Sequence, residues 1–197
     1  MFLSNPPADD AVRALFGEAL AEDGYIQNYV RLWGWRPDVH LAFTEARKLL
    51  ASTALLSSRE IAILNATTAS RLGDAYCSIA WGAKLADACD PSTAAALLRG
   101  DVAPAFTQRE RALVAWASAV VEDPNGTTRE DVEELKAAGF SEPEIFEATL
   151  FVAFRLAFST VNDALGARPD RQLAQSAPPA VLASVTFGRA VDDALID

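Results

Sequence analysis

The sequence predicts an all-α chain on three observations. Alanine supplies 39 of 197 residues while Gly and Pro together supply 20, a balance that favours helix over β-branched strands and tight turns. A hydroxyl residue stands three positions before a Glu at Ser57–Glu60, Thr107–Glu110 and Ser141–Glu144, the capping-box signature of a helix start. Apolar residues then recur at spacings of three and four, as in Val39, Ala42, Phe43, Ala46, Leu49 and Leu50.

Taken in order, helical periodicity begins near Asp9, and a short second helix follows Gly24, where Tyr25, Tyr29, Trp33 and Trp35 gather before Pro37. Pro37 suits a first helical turn, and the stripe from Val39 to Leu50 makes the third helix, with His40 at its edge. The box at Ser57 opens a helix that Gly73 ends, and Asp74 caps another running through Trp81 to about Cys89, stopped by Asp90-Pro91. Helices follow at about 92 to 99, 107 to 122 and 128 to 138, separated by Gly100-Asp101 and Pro124-Asn125-Gly126. Leu56 with Ile61 and Phe140 with Ile145 add hydrophobic staples to the first and third boxes; Arg111 denies one to the second. The helix from Ser141 to about Leu165 is apolar nearly all round and takes the centre of the bundle. The first two boxes, 50 residues apart and both reading Arg-Glu, suggest a weak internal repeat of a helical hairpin.

The domain reading is one helical unit over 1–166, with 167–197 a polar, Pro-bearing linker and an apolar C-terminal helical arm. That arm carries Val181, Leu182, Val185, Phe187, Val191 and Leu195, more apolar residues than a free tail exposes, so it docks on its own chain or on a second copy; a homo-oligomer is expected. A formal charge of −10 repels phosphate backbones and anionic lipid, which argues against nucleic-acid and membrane partners. The opening MFLSNPPADD has no signal-peptide pattern, so the cytoplasm is the expected compartment. The longest apolar stretch, Ile145 to Val161, is broken by Glu147 and Arg155 and is too short to cross a bilayer. Two cysteines and one histidine make neither a disulfide scaffold nor a zinc site, and no cofactor is implied.

Cys77 is the candidate nucleophile, because a helix start stabilises a thiolate; Asp74 in the same turn opposes ionisation, and a buried packing role is the competing reading. Cys89, twelve residues on, lies about 18 Å away along one helix and cannot bridge to it. Glu60 is a candidate proton relay, although capping alone explains a Glu there. His40 reads as a core or boundary residue, and Trp81, Trp116 and the phenylalanines from Phe146 to Phe158 read as core.

Arg59-Glu60-Ile61-Ala62-Ile63-Leu64, then Gly73-Asp74-Ala75-Tyr76-Cys77 and Trp81, resemble the carboxymuconolactone decarboxylase and alkylhydroperoxidase D-like superfamily. Tyr29 to Trp33 before Arg36-Pro37, the second Arg109-Glu110-Arg111-Ala112-Leu113, and Val161 to Gly166 resemble its peroxidase-related branch, covering roughly residues 25 to 166. The resemblance implies an all-helical, oligomeric, thiol-dependent peroxidase. It makes Cys77 the second motif cysteine and Glu60 the counterpart of the acid, two residues farther from the cysteine than usual. Asp74 stands in place of the first cysteine and Trp81 in place of the histidine. The dithiol cycle therefore cannot close within the motif.

Three functions follow as expectations. The first is a single-cysteine peroxidase or related redox protein acting through Cys77 with Glu60. The second is a small-molecule-binding or scaffold protein, with Asp74, Tyr76 and Trp81 as pocket residues. The third is a non-redox enzyme on a lactone or small carbonyl compound. Trp81, one turn after Cys77, is further expected to shield the sulfur and leave it a slow nucleophile.

Overall fold

A computed structural model describes residues 1–101 and 105–192, and among them the only regular elements are eleven helices. They are α1 (Asp10–Asp23), α2 (Asn28–Trp33), α3 (Pro37–Ser52), α4 (Ser58–Leu72), α5 (Ala75–Ala88) and α6 (Pro91–Arg99). The second half holds α7 (Gln108–Glu122), α8 (Arg129–Ala137), α9 (Glu142–Ala164), α10 (Arg171–Ser176) and α11 (Pro179–Ser184). All three sequence-read capping boxes form, and Thr128 with Asp131 makes a fourth, which a search restricted to Glu or Gln at the third position passes over.

Helix α4 is the hub, packed against α5, α7 and α9, and its inward face of Ile63, Leu64 and Ala66 is fully buried. Leu113 of α7 and Val152 of α9 complete the same cluster. Helix α9 packs against α4 and α7 but does not take the centre its composition predicts: it leaves one face in solvent, with Phe146, read as core, 68% exposed, while its two interrupting charges turn inward. Glu147 accepts the backbone N–H groups of Leu55 and Leu56 at 3.0 Å, tying down the turn before α4, while Arg155 faces α4 and α5.

The internal repeat has a physical expression. Arg59 Nε donates to Glu110 Oε1 at 2.5 Å and Arg109 Nε donates to Glu60 Oε1 at 2.7 Å, so each box arginine serves the other box's glutamate. Both glutamates are already held by their own N-cap residues, so each of these two boxes both starts a helix and ties α4 to α7.

The segment after α9 is better ordered than a linker reading allows. Helix α10 forms within it, Ala167 and Asp170 are buried, and Asp170 Oδ1 accepts the first N–H of α2 at 2.9 Å. Helix α11 docks within the chain on α5 and α6, with Val181 fully buried. The arm's apolar residues up to Val191 thus belong to a segment folded onto its own helices, whereas Leu195 lies outside the described residues. No helix among the described residues is long and apolar enough to cross a membrane.

Two glycines in helices test this packing with opposite signs. A Cβ on Gly82 would lie 2.7 Å from Leu98 Cδ1 and 2.8 Å from Val181 Cγ1, whereas one on Gly17, exposed in α1, would meet nothing within 4 Å. Gly82→Ala is expected to lower the unfolding free energy by about 1 kcal/mol, and Gly17→Ala to raise it by about 0.5 kcal/mol, in urea titrations.

Candidate functional site

Gly73 ends α4 in the left-handed region at φ +81°, and the chain turns there into Asp74. Asp74 caps α5, its Oδ1 accepting the N–H of Cys77 at 2.9 Å. This fixes Cys77 in the first turn of α5 with its side chain turned inward, 3% exposed, against Ala69 and Phe158. Trp81, one turn further on, packs on the same cluster, as the spacing of four predicts.

The group that touches the sulfur comes from α9. Arg155, itself 3% exposed, donates through Nη1 to Cys77 Sγ at 3.0 Å and through Nε to Asn65 Oδ1 of α4 at 3.1 Å. Its guanidinium carbon also lies 5.3 Å from the ring centres of Trp81 and Phe158. Among the described residues no carboxylate lies within 4 Å of it. Burial pushes the Cys77 thiol up to about 12; Arg155 pulls the other way, and the Asp74 carboxylate adds to the rise. At neutral pH the sulfur is a protonated thiol facing a permanent cation.

Not all sequence candidates meet at this point. Cys77 and Trp81 are neighbours. Asp74 is wholly buried and caps α5 through Oδ1, while its Oδ2 is buried without a hydrogen-bond partner among the described residues, and it does not line the cavity. Tyr76 is buried with its hydroxyl donated to Asp170 Oδ2, which pins the post-α9 segment to α5 rather than lining a pocket. Glu60 is not brought to the thiol. The α4–α5 hairpin is antiparallel, with Arg59 Nη1 on the carbonyl of Ala88, so the Glu60 turn meets the far end of α5, about 16 Å of helix rise from Cys77. Burial raises Glu60's pKa, but Arg109 and Ser57 outweigh it and hold the carboxyl below its usual value. It is an ion-pair and capping residue. The α4 side chain in the sulfur's hydrogen-bonded network is Asn65. Cys89 is free at the other end of α5, its Sγ on the carbonyl of Leu85 at 2.9 Å.

Sequence reasoning treated Arg155 only as a break in an apolar run. A lone cation on a helix apolar nearly all round was the available signal, because a buried charge needs partners.

A cavity of about 660 Å³ opens beside this cluster, between α1 and α3 on one side and α4, α5 and α9 on the other. Arg155, Asn65 and Trp81 line it, so the groups around the sulfur also form a wall of the cavity. Its aromatic surface includes Tyr29 and Phe154, and His40 of α3 lines it too, buried, with burial and the nearby Arg47 holding its pKa below the usual value. Among the described residues no cluster of three His, Cys, Asp or Glu is arranged to hold a metal ion.

No protein-family model matches the chain, and no curated protein matches it. Solved structures do. A peroxidase-related protein with an alkylhydroperoxidase AhpD core from Ralstonia eutropha JMP134 superposes with a TM-score of 0.77 at 21% identity, over 87% of this chain and 93% of its own. A peroxidase-related protein from Silicibacter sp. TM1040 gives 0.77 at 22% identity over the same shares. The debrominase Bmp8, solved in complex with 2,3,4-tribromopyrrole, gives 0.70 at 17% identity over 94% of this chain and 96% of its own. The chain therefore has the AhpD-like all-helical fold, as its motifs imply.

The charge arrangement at the start of α5 carries a pH dependence. Asp163 of α9 is raised from 3.8 to about 7, first by burial and then by Asp74, with Arg189 opposing. Between those values the folded state holds a proton that the unfolded chain releases, so this carboxyl's contribution to stability falls as pH rises from about 4 to 7. Asp163→Asn is expected to raise the thermal midpoint at pH 8 by roughly 2 °C, with the gain disappearing below the ordinary carboxylate pKa, in calorimetric scans.

Proposed function

We propose that the protein is a single-thiol redox enzyme of the peroxidase type, in which Cys77 attacks a peroxide held in the adjoining cavity. The observation that carries this reading is the Arg155–Cys77 contact: a buried guanidinium 3.0 Å from a sulfur and on the cavity wall. The Cys77 thiol first releases its proton to solvent; the thiolate sulfur then takes the terminal peroxide oxygen, the O–O bond breaks, and the departing alkoxide takes a proton from solvent. Arg155 stabilises the negative charge that develops on sulfur and then on the leaving oxygen. The resulting sulfenic acid condenses with one external thiol, releasing water, and a second external thiol reduces the mixed disulfide. A solvent-supplied thiol replaces the missing motif cysteine, since Cys89 sits at the far end of α5.

The fold supports the reading through its likeness to peroxidase-related proteins, and Bmp8 illustrates the same fold holding a flat heteroaromatic molecule. A second reading is favoured by the thiol's burial: a small-molecule-binding protein in which Cys77 is packing alone.

The experiment is the reaction of the purified protein with hydrogen peroxide and an organic hydroperoxide, followed by dimedone trapping of sulfenic acid at Cys77. Trapping is expected in the wild type and absent in Cys77→Ser. Arg155→Met is expected to slow the step by about 100-fold. The wild-type rate is expected to rise about tenfold per pH unit across the neutral range, because only the rare thiolate reacts and its fraction grows with pH. Trp81→His is expected to increase the neutral-pH rate by giving the sulfur a titratable neighbour. An untrappable Cys77 with no turnover would install the binding reading instead.

A further inference from the structure

Of the four cations that line the cavity, Lys48 pairs with Glu45, and the other three stand apart from any carboxylate among the described residues. Arg155 stands on α9, Arg47 on α3 and Lys84 on α5, and among the described residues none of them has a carboxylate within 4 Å. What they share instead is aromatic rings. Arg47 lies 5.0 Å from the centre of Phe158, Arg155 lies 5.3 Å from both Phe158 and Trp81, and Lys84 Nζ lies 4.4 Å from Trp81. Cation, ring, cation, ring and cation thus alternate from α3 across α9 to α5.

Ring faces offset only a small part of the cost of three mutually repelling charges. That cost is visible in the cations themselves: burial and Arg155 lower Arg47 to about 10, and Lys84 is lowered by burial and by both arginines. Arg155 is set apart by its partners. Both its hydrogen-bond partners, Asn65 and a protonated Cys77, are neutral, and its second Nη carries no hydrogen bond among the described residues. A guanidinium fork with a free edge, buried on a cavity wall, matches a carboxylate in plane and in charge.

The acidic part of the lining limits what else the guest can carry. Glu18, Glu22 and Asp23 of α1 line the cavity there, and Asp38 lies at the start of α3. A molecule with negative charge at both ends would meet repulsion at one of them. Tyr29, Phe151 and Phe154 supply flat apolar surface, and the volume is that of a small organic ligand rather than of a single ion.

We infer that the cavity binds a small aromatic monocarboxylate, its carboxylate seated among Arg47, Lys84 and Arg155 and its ring against the aromatic wall. The site deepens the reading of Cys77 without depending on turnover. A carboxylate on Arg155 supplies the counter-charge that a thiolate would otherwise supply, so ligand binding and ionisation of Cys77 oppose one another, and by linkage each weakens the other by the same factor.

The test uses 3-phenylpropionate, 3-phenylpropan-1-ol and inorganic sulfate as probes, with binding read by titration calorimetry on the full chain. The carboxylate is expected to bind at least tenfold more tightly than the alcohol or sulfate. Arg47→Met and Lys84→Met, on separate helices, are each expected to weaken it several-fold. Saturating 3-phenylpropionate is expected to slow iodoacetamide alkylation of Cys77 in a Cys89→Ser background, whether or not the protein reduces peroxide. Equal affinity for the alcohol would overturn the inference, as would equal affinity for sulfate or indifference of 3-phenylpropionate binding to both substitutions in proteins of unchanged helicity.

Discussion

A guanidinium in the interior of a helical bundle, with no carboxylate within 4 Å among the described residues, sets the terms for the groups around it. Desolvating such a charge costs several kcal/mol unless polar partners are brought to it. Arg155 is supplied with an amide oxygen from α4, a sulfur from α5 and two ring faces, from Trp81 and Phe158. Each lies on an element whose position is fixed by other means: α4 by its box and by its contacts with α7 and α9, α5 by the Gly73–Asp74 turn. The core exists in part to hold these groups at the distance a charge in a dry environment requires.

The same arrangement separates two kinds of carboxylate that a motif reading merges. Glu60 and Glu110 are saturated with donors, each held by its own cap and by the other box's arginine, and so are poorly suited to carry a proton through a reaction. What remains near the sulfur is the fixed positive charge of Arg155 and the helix-capping carboxylate of Asp74. Under the proposed peroxidase chemistry such a site stabilises developing negative charge and leaves proton transfer to solvent.

Much of the fold was legible because its signals are local. A capping box, a left-handed glycine and a proline at a first turn each act within five residues, and the helix starts and stops follow from them. The fourth box escaped because Asp131 does the work of a Glu. The site was legible only in part. Cys77 and Trp81 share a face by a spacing that any helix obeys, whereas the Arg155 contact spans 78 residues, and no rule read along the chain pairs the two. Glu60 was misplaced for a related reason: a motif records separation in sequence, while an antiparallel hairpin turns that separation into distance. Helix α10 was hidden because a polar, Pro-bearing stretch reads the same way whether it runs free or is pinned by Tyr76 and Asn28 onto Asp170.

The pinning of Asp170 bears on the order in which the molecule is built. The Tyr76–Asp170 and Asn28–Asp170 contacts close loops of 94 and 142 residues, and Phe2 N–H reaches the carbonyl of Leu165 at 2.9 Å. The α4–α5 hairpin closes a loop of a few residues and bears little of that entropy cost, so it forms ahead of them. For that interval Cys77 stands at a helix N-terminus still open to water, where the peptide dipoles favour a thiolate and nothing yet desolvates it. The sulfur is thus more acidic in the nascent chain than in the finished one, and completion of the fold converts an open thiol into a guarded one.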